Sequence, residues 1–124
     1  MNILCIEDYA DAALAQRNLL QKLGHKPTLA NSQNIEESIK SAGNYDVVVA
    51  RKETVERRYT FCNFVEQIRA AGYQGRIIAM SSGIAASRPE PLCPHAYPSL
   101  RGVEWYTNVI AINHIPLFNQ PQNI

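Results

Sequence analysis

An excess of charge, long apolar runs and a paired set of cysteines are all missing from these 124 residues, and each absence removes a class of function. Twelve basic residues stand against eleven acidic ones, a formal net charge of +1, so bulk electrostatics gives no pointer to nucleic acid, an anionic membrane or an acidic partner. The apolar segments fall far short of the roughly 18 residues that a membrane span needs. Met1-Asn2-Ile3 leads directly into an apolar run, without the basic and hydrophobic regions of a signal peptide, so the chain is expected to be soluble and cytoplasmic. Cys5, Cys62 and Cys93 are odd in number and widely spaced, which suits free thiols in a reducing compartment better than a disulfide framework. Internal repeats and low-complexity segments are lacking too.

What is present is enough for one ordinary domain: 46% of the residues are hydrophobic. Ile3-Leu4-Cys5-Ile6 reads as a first buried strand, with two adjacent carboxylates, Glu7 and Asp8, at its C-terminal end. Over residues 9–23 the apolar spacing predicts a helix, with Ala12, Leu19 and Leu23 on one face, Ala13 and Leu20 beside them, and Gly24 as the stop. Lys26-Pro27-Thr28-Leu29-Ala30 is a weaker strand, and its proline assigns it to a sheet edge. Asn34-Ile35-Glu36-Glu37 resembles a capping box opening a second helix through Ile39 and Ala42.

Tyr45-Asp46-Val47-Val48-Val49-Ala50 then forms a β-branched run, typical of a strand covered on both faces, and it ends in Arg51. Residues 52–58 read as a charged loop. Phe61, Phe64, Val65 and Ile68 recur at helical spacing up to Ala71-Gly72, and Arg76-Ile77-Ile78-Ala79-Met80 is a fourth strand, closed by Ser81-Ser82-Gly83. This alternation implies a parallel sheet with helices on both faces. Pro89, Pro91, Pro94 and Pro98 leave little room for a full helix, so an irregular segment is expected there. Val103-Glu104-Trp105-Tyr106 reads as a fifth strand and residues 113–118 as a short final helix, with a tail over 119–124.

The acidic pair after strand one, the buried third strand, the small hydroxyl after strand four and Gly102-Val103-Glu104-Trp105-Tyr106 together resemble the receiver domain of bacterial response regulators. The match runs over about residues 3–118. The resemblance implies a flavodoxin-like, doubly wound, five-stranded parallel sheet, here with an irregular proline-rich segment in place of a regular fourth helix. It also implies a role in two-component signalling or a phosphorelay. In the family the acidic pair holds Mg²⁺, and Glu7 and Asp8 stand at those positions. The phosphate-accepting aspartate ends strand three, where this chain has Arg51. Ser81 matches the hydroxyl that follows the phosphoryl group, and Tyr106 the switch aromatic. The lysine of the family falls at about Val109.

A guanidinium has no lone pair to act as a nucleophile, and as a fixed cation it removes a metal ligand and adds repulsion. The expectation is therefore a degenerate receiver, or pseudo-receiver. In it Arg51 pairs with Glu7 or Asp8, Mg²⁺ binding is weak or absent, and no cofactor or catalysis is involved. Glu53 shares strand parity with Arg51 but lies further out and is not expected to substitute for the missing acid. The resemblance implies a signalling protein as partner and leaves a homodimer open, with no direct contact to nucleic acid or membrane. A competing reading is a small-anion or metabolite site, or an enzyme, built from Glu7, Asp8, Arg51 and Ser81.

Plainer roles stand beside these. Glu7 and Asp8 also suit helix capping, and Ser81 and Tyr106 suit ordinary strand-end positions. Cys93 and His95 belong to a metal site only if two more ligands converge on them, and Cys62 and His114 are far away in sequence, so no metal site is expected there. His25 reads as a solvated turn residue, and Arg57, Arg58 and Tyr59 as part of a solvated loop. Trp105 marks an interface if exposed and core if buried.

Overall fold

The computed structural model describes residues 1–81 and 102–107, the last two as backbone. Five strands, β1 (Asn2–Ile6), β2 (Lys26–Ala30), β3 (Val47–Arg51), β4 (Arg76–Ser81) and β5 (Val103–Thr107), form one parallel sheet in the order β2-β1-β3-β4-β5. Between them lie α1 (Ala10–Lys22), α2 (Ile35–Ser41), the single turn α3 (Lys52–Val55) and α4 (Phe61–Ala70). This is the expected flavodoxin-like, doubly wound order. The proline-rich segment, the final helix and tail, Val109, Cys93, His95 and His114 lie outside the described residues.

The sequence explains the layers. All five residues of β3 are buried, because a central parallel strand is covered from both sides. Alternate residues of the strands feed two cores. Leu4, Ile6, Val48, Ala50, Ile77 and Ala79 face Ile35 and Ile39 of α2 and Phe61, Phe64, Val65 and Ile68 of α4. Ile3, Cys5, Val47, Val49, Ile78 and Met80 face Leu20 of α1. Each large aliphatic side chain so buried contributes roughly 1.5–3 kcal/mol.

In α1 the buried stripe is Ala13, Gln16 and Leu20, while Ala12, Leu19 and Leu23 are only partly buried. The contact face is thus centred a little further round the helix than apolar spacing alone indicates. At its centre sits a polar residue, Gln16, whose amide donates to Met80 Sδ at 3.4 Å. β2 is the edge strand that Pro27 predicted.

Three local expectations are corrected. The capping box belongs to Asn31 and Asn34: Asn31 Oδ1 accepts from the Gln33 amide at 2.9 Å, and Asn34 Oδ1 accepts from the Asn31 amide at 2.8 Å. A 3-10 turn over Ser32–Asn34 therefore precedes α2. The charged stretch after Arg51 is not all loop, because Lys52–Val55 winds into α3 and buries Thr54 and Val55. His25 is 7% exposed rather than solvated, and its Nδ1 lies 3.0 Å from the terminal nitrogen of Met1.

The far edge is fastened by charge as well as by the ladder. Arg76, opening β4, makes a two-pronged pair with Glu104 of β5 at 2.8 and 2.7 Å. Trp105 beside it is partly buried and meets Phe61 at 5.2 Å between ring centroids. No helix among the described residues is long and apolar enough to cross a membrane.

Candidate functional site

In this strand order the chain leaves β1 toward β2 on one side and later returns to β3 on the other. The crevice at the C-terminal ends of β1 and β3 is therefore the topological switch point, where open α/β sheets bind ligands. Glu7 and Arg51 stand there. Ile6 pairs with Ala50 in the β1–β3 register, so the next step along both strands sets Glu7 beside Arg51 on the same face of the sheet. Arg51 is 2% exposed and Glu7 4%. Arg51 Nε donates to Glu7 Oε1 at 2.5 Å, while Glu7 Oε2 accepts from the Tyr9 amide at 3.1 Å. Both oxygens of Glu7 are thus engaged. The Tyr9 ring lies over the guanidinium, 5.2 Å from ring centroid to Cζ, and shields a cation that would be costly to bury uncovered.

Consecutive residues leave a strand in opposite directions, so Asp8 turns away from the pair that Glu7 joins. Its backbone amide donates to Thr54 Oγ1 at 3.0 Å, and its Oδ1 accepts from the Ser32 amide at 2.7 Å. Oδ2 lies 3.2 Å from Nε of Arg57, an exposed side chain. The two carboxylates that the sequence sets side by side are drawn to different partners, one to the buried Arg51 and the other to the surface Arg57.

Ser81, fully buried at the end of β4, donates from Oγ to Glu53 Oε2 at 2.5 Å. Glu53 Oε1 lies 3.7 Å from Arg51 Nη1. Strand parity does not describe Glu53, because the chain enters α3 directly after Arg51; the helical turn brings its carboxylate back over the strand ends. Glu7, Arg51, Glu53 and Ser81 therefore form one connected group, with Asp8 and Arg57 beside it. Trp105 lies away from it against Phe61, and the side chain of Tyr106 lies outside the described residues, although its backbone pairs with Met80.

Sequence reasoning missed Tyr9, Ser32, Glu53, Thr54 and Arg57 as members of this neighbourhood. Of these, only Glu53 carries a signal in the sequence, its closeness to Arg51, and a loop over 52–58 would leave it further out than the helical turn Lys52–Val55 sets it.

The donor set does not fit Mg²⁺. The ion needs oxygen ligands in a near-octahedral shell, yet Glu7 is engaged by a guanidinium at 2.5 Å and Asp8 Oδ1 by an amide, which leaves Asp8 Oδ2, buried without a hydrogen bond and only ion-paired with Arg57, as a single oxygen. Among the described residues no group of three or more His, Cys, Asp or Glu side chains is placed to hold a metal. The negative field is felt nonetheless: the Cys5 thiol is pushed up to about 12, first by its burial and then by the nearby Glu7 carboxylate.

No protein-family model and no curated protein matches the chain. Solved structures do. A response regulator receiver domain protein from Bacillus halodurans C-125 superposes with a TM-score of 0.72 at 10% identity, covering 98% of this chain and 98% of that one. The receiver domain of a Francisella response regulator gives 0.70 at 18% identity, over 94% of this chain and 91% of its own. The receiver domain of a sensor histidine kinase from Pseudomonas aeruginosa PAO1, solved with magnesium in its active-site cleft, gives 0.58 at 19% identity, over 83% and 79%. At these identities the likeness is one of fold, and the fold is that of the response regulator receiver domains.

Proposed function

We propose that this chain is a pseudo-receiver, a cytoplasmic signalling module that acts through protein contacts without aspartyl phosphorylation, resident Mg²⁺ or catalysis. One observation carries the reading: Arg51, at the end of the central strand, is buried against Glu7 at 2.5 Å. A protonated guanidinium has no lone pair to attack a phosphoryl donor and cannot form an acyl phosphate, and its fixed charge takes the place that a divalent cation would otherwise fill beside Glu7. The pocket is neutralised by the protein's own side chain, so the state of the domain is set by what docks on it. A signalling protein is the proposed partner, with a second copy of the chain as the other arrangement to be tested. That Arg51 faces Glu7 and Glu53 rather than an open cavity weighs against a metabolite enzyme in the same crevice.

The test is labelling with acetyl phosphate in the presence of Mg²⁺, followed by intact-mass measurement and hydroxylamine treatment. The expected result is no hydroxylamine-labile phosphoryl adduct, and no saturable Mg²⁺-dependent change in Trp105 fluorescence. A stoichiometric labile adduct would overturn the proposal.

A further inference from the structure

Arg57, Arg58 and Tyr59 lead into Thr60 on the surface connection 56–60 between α3 and α4. Both arginine side chains reach solvent, at 65% and 47% exposure, and Thr60 is exposed. Neither arginine is tightly held. Arg57 Nε lies 3.2 Å from Asp8 Oδ2, an oxygen that takes no hydrogen bond, and Arg58 Nη1 lies 3.8 Å from the exposed Glu36. Thr60 has extended backbone angles, φ −64° and ψ 150°, and its Oγ1 accepts from the Asn63 amide at 3.1 Å. That bond uses one lone pair and leaves the hydroxyl hydrogen and the second lone pair open. An exposed alcohol thus follows two exposed cations, at the third and second positions before it.

We propose that Thr60 is a phosphorylation site for a serine/threonine kinase that reads the two arginines with acidic side chains, and that the phosphate then draws Arg57 away from Asp8. Kinases select substrates by the charge pattern around the acceptor, and carboxylates recognise guanidinium groups in two-pronged pairs. Phe61 is buried, so the kinase reads the residues before Thr60 and not the one after it. In the transfer, Thr60 Oγ1 attacks the γ-phosphorus of the kinase's ATP. The Oγ1–P bond forms as the bond to the β,γ-bridging oxygen breaks, ADP leaves with that electron pair, and the kinase's catalytic aspartate takes the hydroxyl proton. The product carries a charge of about −1.5 to −2 where the threonine carried none. The start of α4 tolerates it, because the first amides of a helix favour an anion, so the cap to Asn63 persists. Arg57 then stands between the single charge of Asp8 and a stronger one three residues along its own chain. Asp8 loses its cation, and the modification is felt beside the strand ends without any change at Arg51. A threonine ester forms independently of aspartyl phosphorylation, so this inference and the pseudo-receiver reading succeed or fail separately.

The test incubates the folded chain with Mg-ATP and the catalytic subunit of cAMP-dependent protein kinase as the arginine-directed probe. The product is treated with hydroxylamine, which removes acyl phosphates and leaves a threonine ester, and is then mapped by tandem mass spectrometry. A single phosphate on Thr60 is expected. Thr60→Asn keeps a side-chain oxygen to cap α4 but has no hydroxyl, so it should stay folded and take up none. Arg57→Gln and Arg58→Gln should each lower kcat/KM at least about tenfold, the worth of one charge-assisted hydrogen bond. In the phosphorylated protein the Arg57 side-chain Nε–Hε resonance should shift. Three results would overturn the site: no phosphate on the folded chain while a peptide of residues 54–64 is modified, phosphate on another residue, or an unchanged kcat/KM in either arginine variant. An unmoved Arg57 resonance in the phosphorylated protein would overturn the coupling to Asp8.

Discussion

Replacing Arg51 by methionine removes the charge while keeping much of the side-chain volume, and the structure sets how large the effect should be. Glu7 would remain 4% exposed with one backbone amide at 3.1 Å and no guanidinium against its other oxygen. Breaking a buried ion pair from one side costs about 3–5 kcal/mol, because the remaining charge cannot recover its hydration. Domains of this size unfold at about 5–15 kcal/mol, so the variant would lose a large fraction of its stability. With an m-value of about 1–3 kcal/mol per molar urea, the unfolding midpoint should fall by roughly 2 M. The melting temperature should fall by about 10–20 °C.

Glu7→Gln should cost less, about 1.5–3 kcal/mol, since the amide oxygen can still accept from Nε. The decisive variant carries both changes. A methionine beside a neutral amide leaves no buried charge, so the double variant should be more stable than the sum of the single losses predicts, by about 2 kcal/mol. Urea unfolding followed by Trp105 fluorescence and by far-UV circular dichroism gives all four free energies. If Arg51→Met costs under about 1 kcal/mol, or the two losses add to within about 0.5 kcal/mol, the buried pair does not organise the strand ends as argued.

Three further predictions concern the frame. Gly75→Ala would drive a methyl group into the Tyr73 ring, which is buried and donates to the Arg76 carbonyl at 3.2 Å, so urea unfolding should show a loss of about 1–3 kcal/mol. Thr60→Ala removes the hydroxyl that accepts from the Asn63 amide at 3.1 Å at the start of α4, and should cost about 1 kcal/mol in the same assay. Stability should decline in alkali. The Cys5 thiol rises from 9.0 to about 12 on folding through burial and then the Glu7 carboxylate, and the Tyr73 hydroxyl from 10.0 to about 12. Burial is the main cause at Tyr73, opposed by Arg69 and reinforced by Asp46. The unfolded chain therefore loses these protons first, so their contribution is complete below pH 9.0 and drains away as pH climbs toward about 12. Cys5 alone steepens the fall by up to about 1.4 kcal/mol per pH unit, and Cys5→Ser should flatten the profile between pH 9 and 11.

The strands were legible because they are written in one physical alphabet. A β-branched run between turn residues has few alternatives to a buried strand, and Pro27 in β2 has few alternatives to an edge. The helix faces were less legible, since apolar periodicity cannot register a buried Gln16 that fills its place by contacting a methionine sulfur. The start of α2 offered two asparagines three residues apart, and the earlier one caps because a 3-10 turn precedes the helix. The pairing of Arg51 with Glu7 follows from strand register. The position of Glu53 could not, because four residues of helix are too short for a periodic signal, and that turn decides where its carboxylate goes.

The Arg76–Glu104 clasp has a consequence of its own. Among the described residues β5 pairs with β4 alone, and slipping it by one residue would carry Glu104 off the guanidinium and Trp105 off Phe61 together. Register at this border is thus written twice, once in charge and once in aromatic contact. The charged half is partly open to solvent, so dissolved ions can weaken it while the aromatic half stays indifferent. Ionic strength thereby becomes a dial on the outermost strand, able to loosen its attachment while the interior of the sheet stays closed.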